Sequence, residues 1–366
     1  MSSATPLPEG LFNRKPPTLW QRDIPYPQPF HYFNAIDNEW TVASSSSEIS
    51  NSDVNLNAQR TPPSQIRLLT WNIDALVPYA EERMFSALKY LEVLYRDLQE
   101  KSTSSHNPPL VIFFQEMLNS DLEQIQETDW IRQNFYVTDL SDEFWESGYY
   151  GTTTLVDKRL DVQRVFRVHY KNTRMQRDGL FVDVNVQPVD GDKPTVLRLC
   201  NTHLESLTSN PPRRPVQLRI ASTYMHGSGP PDQESTSSLS TSLPTPHAAL
   251  LAGDLNAFAP EDLTAPVECG LYDTFLSLGG KDGTDEGYTW GQQVPDEMRK
   301  KFGCSRMDKI LFCGALKAEK LDRIGEGLKA YVGDLFESDS DDSEPMEKDV
   351  WVTDHLGLLG DFTILK

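Results

Sequence analysis

The feature that most limits this chain's fold is a series of short apolar runs, each meeting carboxylates, carboxamides or histidines at its end. Leu250-Leu251-Ala252 runs into Gly253-Asp254-Leu255-Asn256. Read as a strand, it alternates side chains between faces and puts Asp254 and Asn256 on one side with Leu255 on the other. The glycine ahead of them lets a ligand or another backbone come close. Alone, Gly-Asp-x-Asn is also ordinary strand-then-turn chemistry. Five further ends share its character. Asn72 and Asp74 follow Leu68-Leu69, Glu116 follows Val111 to Phe114, and His203 and Glu205 follow Val196 to Cys200. Arg306 and Asp308 precede Ile310-Leu311-Phe312, and Asp354-His355 precedes the last strand. Polar groups at buried strand ends must be hydrogen-bonded or bound to a ligand, so six such ends point to one shared site.

The periodicities give the scaffold. Strands are expected at 66–71, 110–114, 151–156, 162–168, 180–186, 196–202, 248–252, 307–312 and 356–363. Helices are expected at 80–98, with Met84, Leu88, Leu91, Leu94 and Leu98 along one stripe, at 121–127 and at 213–225. Many strands with a few helices among them predict an α/β domain of two packed sheets with helices outside, over 65–366. Residues 1–64, rich in proline and then serine, are expected to be disordered and to lack a core, with Trp20, Phe30, Tyr32, Phe33 and Trp40 able to dock on the domain or a partner. Serine, threonine and proline at 226–246, and acidic residues at 334–348, mark two flexible insertions that loop out.

The net charge of −20 argues against a nucleic-acid partner for the chain as a whole. The excess is local, however: residues 334–349 hold eight acidic side chains and one lysine. Cys200, Cys269, Cys304 and Cys313 show no zinc-like spacing, which predicts a reduced, intracellular protein. The N-terminus lacks a signal-peptide pattern, and no apolar run approaches the roughly 18 residues of a membrane span, so a soluble protein is expected.

Carboxylates, carboxamides and histidines are the residue types of metal-assisted phosphate chemistry. Magnesium takes oxygen ligands and keeps several waters, so one direct carboxylate and others acting through water suffice. The lack of an H-E-x-x-H motif or clustered cysteines argues against zinc, and the lack of a G-x-S-x-G elbow against a serine hydrolase.

Thr70-Trp71-Asn72-Ile73-Asp74, Gln115-Glu116, Thr202-His203-Leu204-Glu205-Ser206, Gly253-Asp254-Leu255-Asn256, Tyr288-Thr289-Trp290, Arg306-Met307-Asp308-Lys309-Ile310 and Thr353-Asp354-His355-Leu356-Gly357-Leu358 resemble, in this order, the motifs of the endonuclease/exonuclease/phosphatase superfamily. Three of them, T-W-N-I-D, T-H-L-E-S and D-H-x-G-L-L, are similar to those of its tyrosyl-DNA phosphodiesterase 2 branch. The resemblance covers 65–366 outside the two insertions, and departs where Ala257-Phe258 replaces a leucine and a basic residue and where Thr353 replaces a serine.

It implies a four-layer, DNase I-like sandwich and a magnesium-dependent phosphodiesterase, with manganese a possible substitute. Glu116 would bind the metal, with Asp74 and Asp354 supporting its water shell. Asp254, assisted by Asn256, would orient and deprotonate the attacking water. Asn72, His203, Ser206 and His355 would hold phosphate oxygens. Tyr149, Trp290, Arg174 and Arg177 would contact the substrate strand, with Arg213 and Arg214 as further candidates. Asp308, Arg306 and Glu205 would support the others from behind. The implied substrate is DNA with a 5′-tyrosyl or peptide adduct, left by a topoisomerase and converted to a 5′-phosphate end. A monomer is expected, in the nucleus with the cytoplasm as a second location, possible protein partners being reached through the N-terminal and acidic segments. The alternatives are an apurinic-site endonuclease, an RNA 3′ exonuclease, or a catalytically silent interaction protein.

Overall fold

A computed structural model of the chain describes residues 19–43, 62–100, 107–191, 193–227, 243–332 and 349–366. In chain order the elements are β1 (Pro25–Pro27), β2 (His31–Asn34), β3 (Glu39–Val42), β4 (Gln65–Asn72), α1 (Ala80–Glu100), β5 (Leu110–Met117), α2 (Asn119–Glu127), α3 (Asp129–Asn134), β6 (Phe135–Val137), β7 (Gly151–Asp157), β8 (Asp161–His169), β9 (Asp178–Val186) and β10 (Thr195–Thr202). They continue with α4 (Arg214–Met225), β11 (Ala248–Asp254), α5 (Pro260–Glu268), β12 (Tyr272–Asp273), α6 (Thr274–Ser277), α7 (Asp296–Phe302), β13 (Asp308–Gly314), β14 (Leu316–Ile324), β15 (Lys329–Tyr331), β16 (Asp349–Trp351) and β17 (Gly357–Ile364).

Two mixed sheets carry the fold, ordered β1-β8-β9-β10-β11-β13-β12 and β14-β17-β4-β5-β7-β6-β2-β3. Alternation along each strand feeds two hydrophobic layers at once. Leu68, Phe113, Val182, Leu199, Leu250 and Phe312 fill the space between the sheets. Leu69, Ile112 and Phe114 face outward onto Met84, Leu88 and Leu91 of α1 and Ile125 of α2. On the opposite outer face Phe181, Cys200 and Leu251 pack on Leu218 and Ala221 of α4 and Ala265 of α5. This makes the four layers, and it explains why the central strands read as unbroken apolar runs: both their faces are covered.

Each sheet contains a parallel pair, β4 with β5 and β10 with β11. Parallel neighbours need a long crossover, supplied by α1 for the first pair and by α4 within the connection of the second. The carboxyl ends of all four strands therefore open on one rim, the place where α/β sheets bind ligands.

Residues 19–43, expected to be disordered, are placed on the domain. Strand β1 pairs with β8 at the edge of one sheet, and β2 with β6 at the edge of the other. Composition misled here because proline is tolerated on an edge strand, where no ladder bond is needed on its outer side. Of the two expected insertions, residues 228–242 and 333–348 lie outside the described residues. Strand β14 escaped the sequence pattern because its alternation is dominated by outward Lys317, Glu319, Lys320 and Asp322, the charged dress of an edge strand.

Candidate active site

Asn72 and Asp254 are the last residues of β4 and β11, in different sheets, and their side chains meet across the rim. Asn72 Nδ2 donates to Asp254 Oδ2 at 3.0 Å and lies 3.4 Å from Glu116 Oε1. Beneath them Gln115 donates to Asn201 Oδ1 at 2.8 Å and to Thr70 Oγ1 at 3.0 Å, while Asn201 donates to the Thr153 carbonyl at 2.9 Å. This buried polar link fixes the two sheets to each other directly under the site.

Strand alternation was expected to bring residues two apart to one face. The structure achieves this by another route, because Asp74 and Asn256 lie beyond their strands. The Asn72 Oδ1 accepts from the Asp74 amide and the Asp254 Oδ1 from the Asn256 amide, each at 2.8 Å. Both are Asx turns, and Asp74 (φ 58°) and Asn256 (φ 48°) take the left-handed conformation. Glu116 does so too, at φ 55°. Three strained backbones in one rim are held by the surrounding bonds, a pattern typical of functional sites. Gly253, with φ 146°, is needed for a close approach, but the approaching group is backbone: a Cβ there would lie 1.8 Å from the Thr202 carbonyl oxygen.

Donors converge on one carboxylate oxygen. Besides Asn72, Asn256 Nδ2 approaches Asp254 Oδ2 at 3.3 Å, His203 Nε2 at 3.3 Å and His355 Nε2 at 3.7 Å. Burial disfavours the Asp254 charge, yet His355, His203 and the Asn256 amide hold its carboxyl well below the usual range. The two histidines differ. Arg177 Nη1 lies 2.7 Å from His203 Nδ1, and an arginine can only donate, so the His203 proton sits on Nε2 and points into the site. Burial and that guanidinium both lower the His203 pKa, which keeps the ring neutral. His355 Nδ1 lies 2.7 Å from Asp308 Oδ2. Burial opposes its charge, but Asp308, Asp254 and Asp354 carry its pKa well above the ordinary histidine value. Asp308 itself is pushed up to about 6, mainly by burial.

The other edge of the rim is lined by carboxyl groups. Burial, followed by Asp354 and Glu116, raises the Asp74 pKa well above normal, and burial raises that of Asp354. Trp290 Nε1 donates to Asp354 Oδ2 at 2.7 Å. Arg83 was missed by the sequence reading. It donates to the carbonyls of Ile73 (3.2 Å), Pro78 (3.1 Å) and Val352 (2.8 Å), and its Nη1 stands 3.9 Å from Asp74 Oδ2. Its signal was a cation on the apolar stripe of α1, one turn before Ala87.

Crowded, charge-depressed carboxylates fit a hard cation. Tight groupings among the described residues are Glu116 with His203 and Asp254, and Asp254 with Asp308 and His355, each with candidate atoms within 4.8 Å. The expected trio of Glu116, Asp74 and Asp354 is not among them. The protonated His203 Nε2 stands 3.3 Å from Asp254 Oδ2 outside full hydrogen-bond alignment and has no lone pair for a metal, and the His355 ring is charged. The oxygen donors these groupings offer a hard cation are the carboxylates of Glu116, Asp254 and Asp308.

The remaining candidates separate. Ser206 Oγ donates to Asn256 Oδ1 at 3.0 Å, and Tyr149 Oη lies 3.5 Å from the Ala75 carbonyl. Glu205 binds Thr173 Oγ1 at 2.7 Å and the Arg174 amide at 2.8 Å, which shapes the loop carrying Arg174, exposed, and Arg177, buried. Arg306 does not join Asp308; it pairs with Asp273 at 2.7 Å and with Asp282, because β13 begins only at Asp308 and alternation does not reach back to it. Arg214 is buried against Asp262 at 2.9 Å and donates to the Leu207 carbonyl at 2.7 Å. Its guanidinium stacks 4.3 Å over Phe258, the position where the motif departs from the family pattern, so it supports the site instead of facing substrate. Thr353 Oγ1 donates to the Asn72 carbonyl at 2.8 Å, and the same bond is open to a serine.

The sequence profile of the Endonuclease/Exonuclease/phosphatase family matches residues 69–355. Tyrosyl-DNA phosphodiesterase 2 of Homo sapiens is 26% identical over 317 residues, 85% of this chain and 72% of that protein. A 5′-tyrosyl-DNA phosphodiesterase of Caenorhabditis briggsae is 26% identical over 186 residues, 51% of this chain and 46% of that protein. Among solved structures, D. rerio TDP2 complexed with a single-strand DNA product aligns with a TM-score of 0.54 at 17% identity, covering 82% of this chain and 99% of that one. Truncated Caenorhabditis elegans TDP2 aligns with a TM-score of 0.54 at 20% identity, covering 82% and 97%. The structural likeness shows the fold: a DNase I-like sandwich.

Proposed function

The chain belongs to the endonuclease/exonuclease/phosphatase family, and from that premise we propose that it hydrolyses the bond between a tyrosine oxygen and a DNA 5′-phosphate, leaving a 5′-phosphate end and a free tyrosyl peptide. The observation that carries the phosphodiester reading is the convergence of Asn72, Asn256, His203 and His355 on Asp254 Oδ2. Donors arranged around one anionic oxygen form a cradle that phosphate oxygens can share. The choice of a 5′-tyrosyl bond is supported by relatives named for it.

The chemistry follows from the charges. In the free protein Asp254 accepts from Asn72 and Asn256 with both histidines beside it and is a weak base, suited to orienting water. A bound phosphate draws His203, His355 and Asn72 toward its own oxygens. Stripped of them, the buried Asp254 carboxylate becomes more basic and can take the proton of the attacking water. His355, held charged by Asp308, and the His203 Nε2–H stabilise the negative charge that builds on the phosphoryl oxygens. The leaving phenol has a pKa of about 10, so no strong general acid is required. A divalent cation such as magnesium, held by Glu116 with Asp74 and Asp354 behind it, would supply further neutralisation of that charge. We assign Tyr149 and Arg174 to the substrate strand, whereas Trp290, buried with its Nε1 on Asp354, shapes the rim, and the adduct's origin in DNA supports a nuclear role.

The deciding experiment compares a 5′-tyrosyl oligonucleotide with abasic duplex and oligo(A), each with magnesium and with chelator. Release of a 5′-phosphate end from the first alone supports the proposal. Preference for either other substrate replaces it with the corresponding nuclease, and no metal-dependent cleavage of any removes the enzymatic reading.

A further inference from the structure

The segment from Leu19 to Gln28 crosses the two loops that lead to the substrate side of the site. One loop, 139–150, carries Tyr149 and Tyr150; the other, 170–177, carries Arg174 and Arg177. Arg22 touches both. Its guanidinium pairs with Glu146, a fully buried carboxylate, and donates to the Tyr170 carbonyl at 3.3 Å. Asp23 adds to the second contact: its amide donates to the His169 carbonyl at 2.8 Å and its Oδ1 accepts from the Lys171 amide at 2.8 Å. Gln28 Nε2 donates to the Thr138 carbonyl at 3.1 Å at the base of the first loop. Trp20 stacks on the buried His169 ring with centroids 4.0 Å apart, and Tyr224 Oη donates to the Asp23 carbonyl at 2.6 Å.

The two loops meet again on the other side of the pair. Arg177 lies over the Tyr150 ring at 5.1 Å and against His203 Nδ1 at 2.7 Å. The spacing of the loops is thus set at two points, by Arg177 within the site and by Arg22 outside it. We propose that residues 19–28 are a strap that fixes the separation of these loops, and that Arg22 is its positioning residue. The proposal rests on the reading of Tyr149 and Arg174 as strand contacts. Asp254 ends its own strand, and Arg177 keeps its contacts to Tyr150 and His203, which do not involve Arg22, so loosening the strap at Arg22 affects capture of the strand and leaves the chemistry intact.

Arg22→Ala alone removes the ion pair of the buried Glu146 and lowers stability, which confuses structure with positioning. The double variant Arg22→Ala/Glu146→Gln removes that charge without restoring the bridge. Its Tm is expected to recover most of the loss, while KM for a 5′-tyrosyl oligonucleotide stays raised about tenfold with kcat unchanged. A mononucleotide p-nitrophenyl ester, too short to reach the loops, should be cleaved as by the wild type. Hydrogen exchange in 139–150 and 170–177 should accelerate in the double variant, a readout that stands even if the wild type prefers another phosphodiester. A double variant with wild-type KM, or with unchanged exchange in both loops, overturns the proposal.

Discussion

Replacing Asp308 with asparagine isolates what the charge on His355 contributes. The carboxamide oxygen can still accept from Nδ1–H across the 2.7 Å contact, so geometry is kept while the counter-charge is lost. A hydrogen bond to a charged partner contributes about 1.5–3 kcal/mol, against about 0.5–1.5 kcal/mol between neutral groups. The difference is about 1–1.5 kcal/mol, and each 1.4 kcal/mol or so is tenfold in rate, so kcat/KM should fall about 5- to 15-fold if the imidazolium faces charge in the transition state. Asp308→Ala removes the acceptor as well and leaves the ring to Asp254 and Asp354 alone, which should lower Tm further than the asparagine variant does. The assay is kcat/KM on the tyrosyl oligonucleotide beside a thermal melt for each variant. An asparagine variant with wild-type kcat/KM and wild-type Tm would refute the reasoning, since the charge would then do nothing for turnover.

Three further outcomes are expected. Glu116→Gln should abolish metal-dependent turnover and weaken magnesium binding by calorimetry, with Tm within a few degrees of wild type; an active variant removes Glu116 as the metal ligand. Gly253→Ala should unfold the rim or cost about 2–3 kcal/mol or more, because its Cβ would meet the Thr202 carbonyl at 1.8 Å in a left-handed backbone; a melt unchanged from wild type contradicts that packing. Burial pushes Asp121 up to about 7 from an ordinary 3.8. An acid with a raised folded pKa binds its proton more tightly in the native state, so its contribution is favourable below about pH 4 and is lost as pH rises toward 7, about 4 kcal/mol in all. Asp121→Asn should therefore gain Tm over wild type between pH 5 and 8, and a pH-independent difference would show that Asp121 is ionised without cost.

Much of the scaffold was legible because both faces of its central strands are covered. β4, β5, β10 and β11 read as apolar runs that no solvent-facing strand would tolerate, and the stripe on α1 matches the helix observed at 80–100. Edge elements were not legible. β1 to β3 and β14 bury little, so their residues follow solubility and turn chemistry instead of a core period. Within the site, polar residue types at strand ends announced that something is bound there. Arg306 illustrates the limit of spacing: two residues from Asp308, it was grouped with it, but it turns to Asp273.

The sequence by itself determined the four layers and the inventory of chemical groups on the rim, because burial period and residue type are local properties of a chain. Which groups touch was decided by tertiary structure alone. Asn72 reaches Asp254 across 182 positions, His355 is charged because Asp308 lies behind it, and His203 is neutral because it is buried and Arg177 occupies its other nitrogen. Protonation states and donor convergence depend on distances of a few ångströms between different sheets, and such distances are set only when both sheets close on their common core.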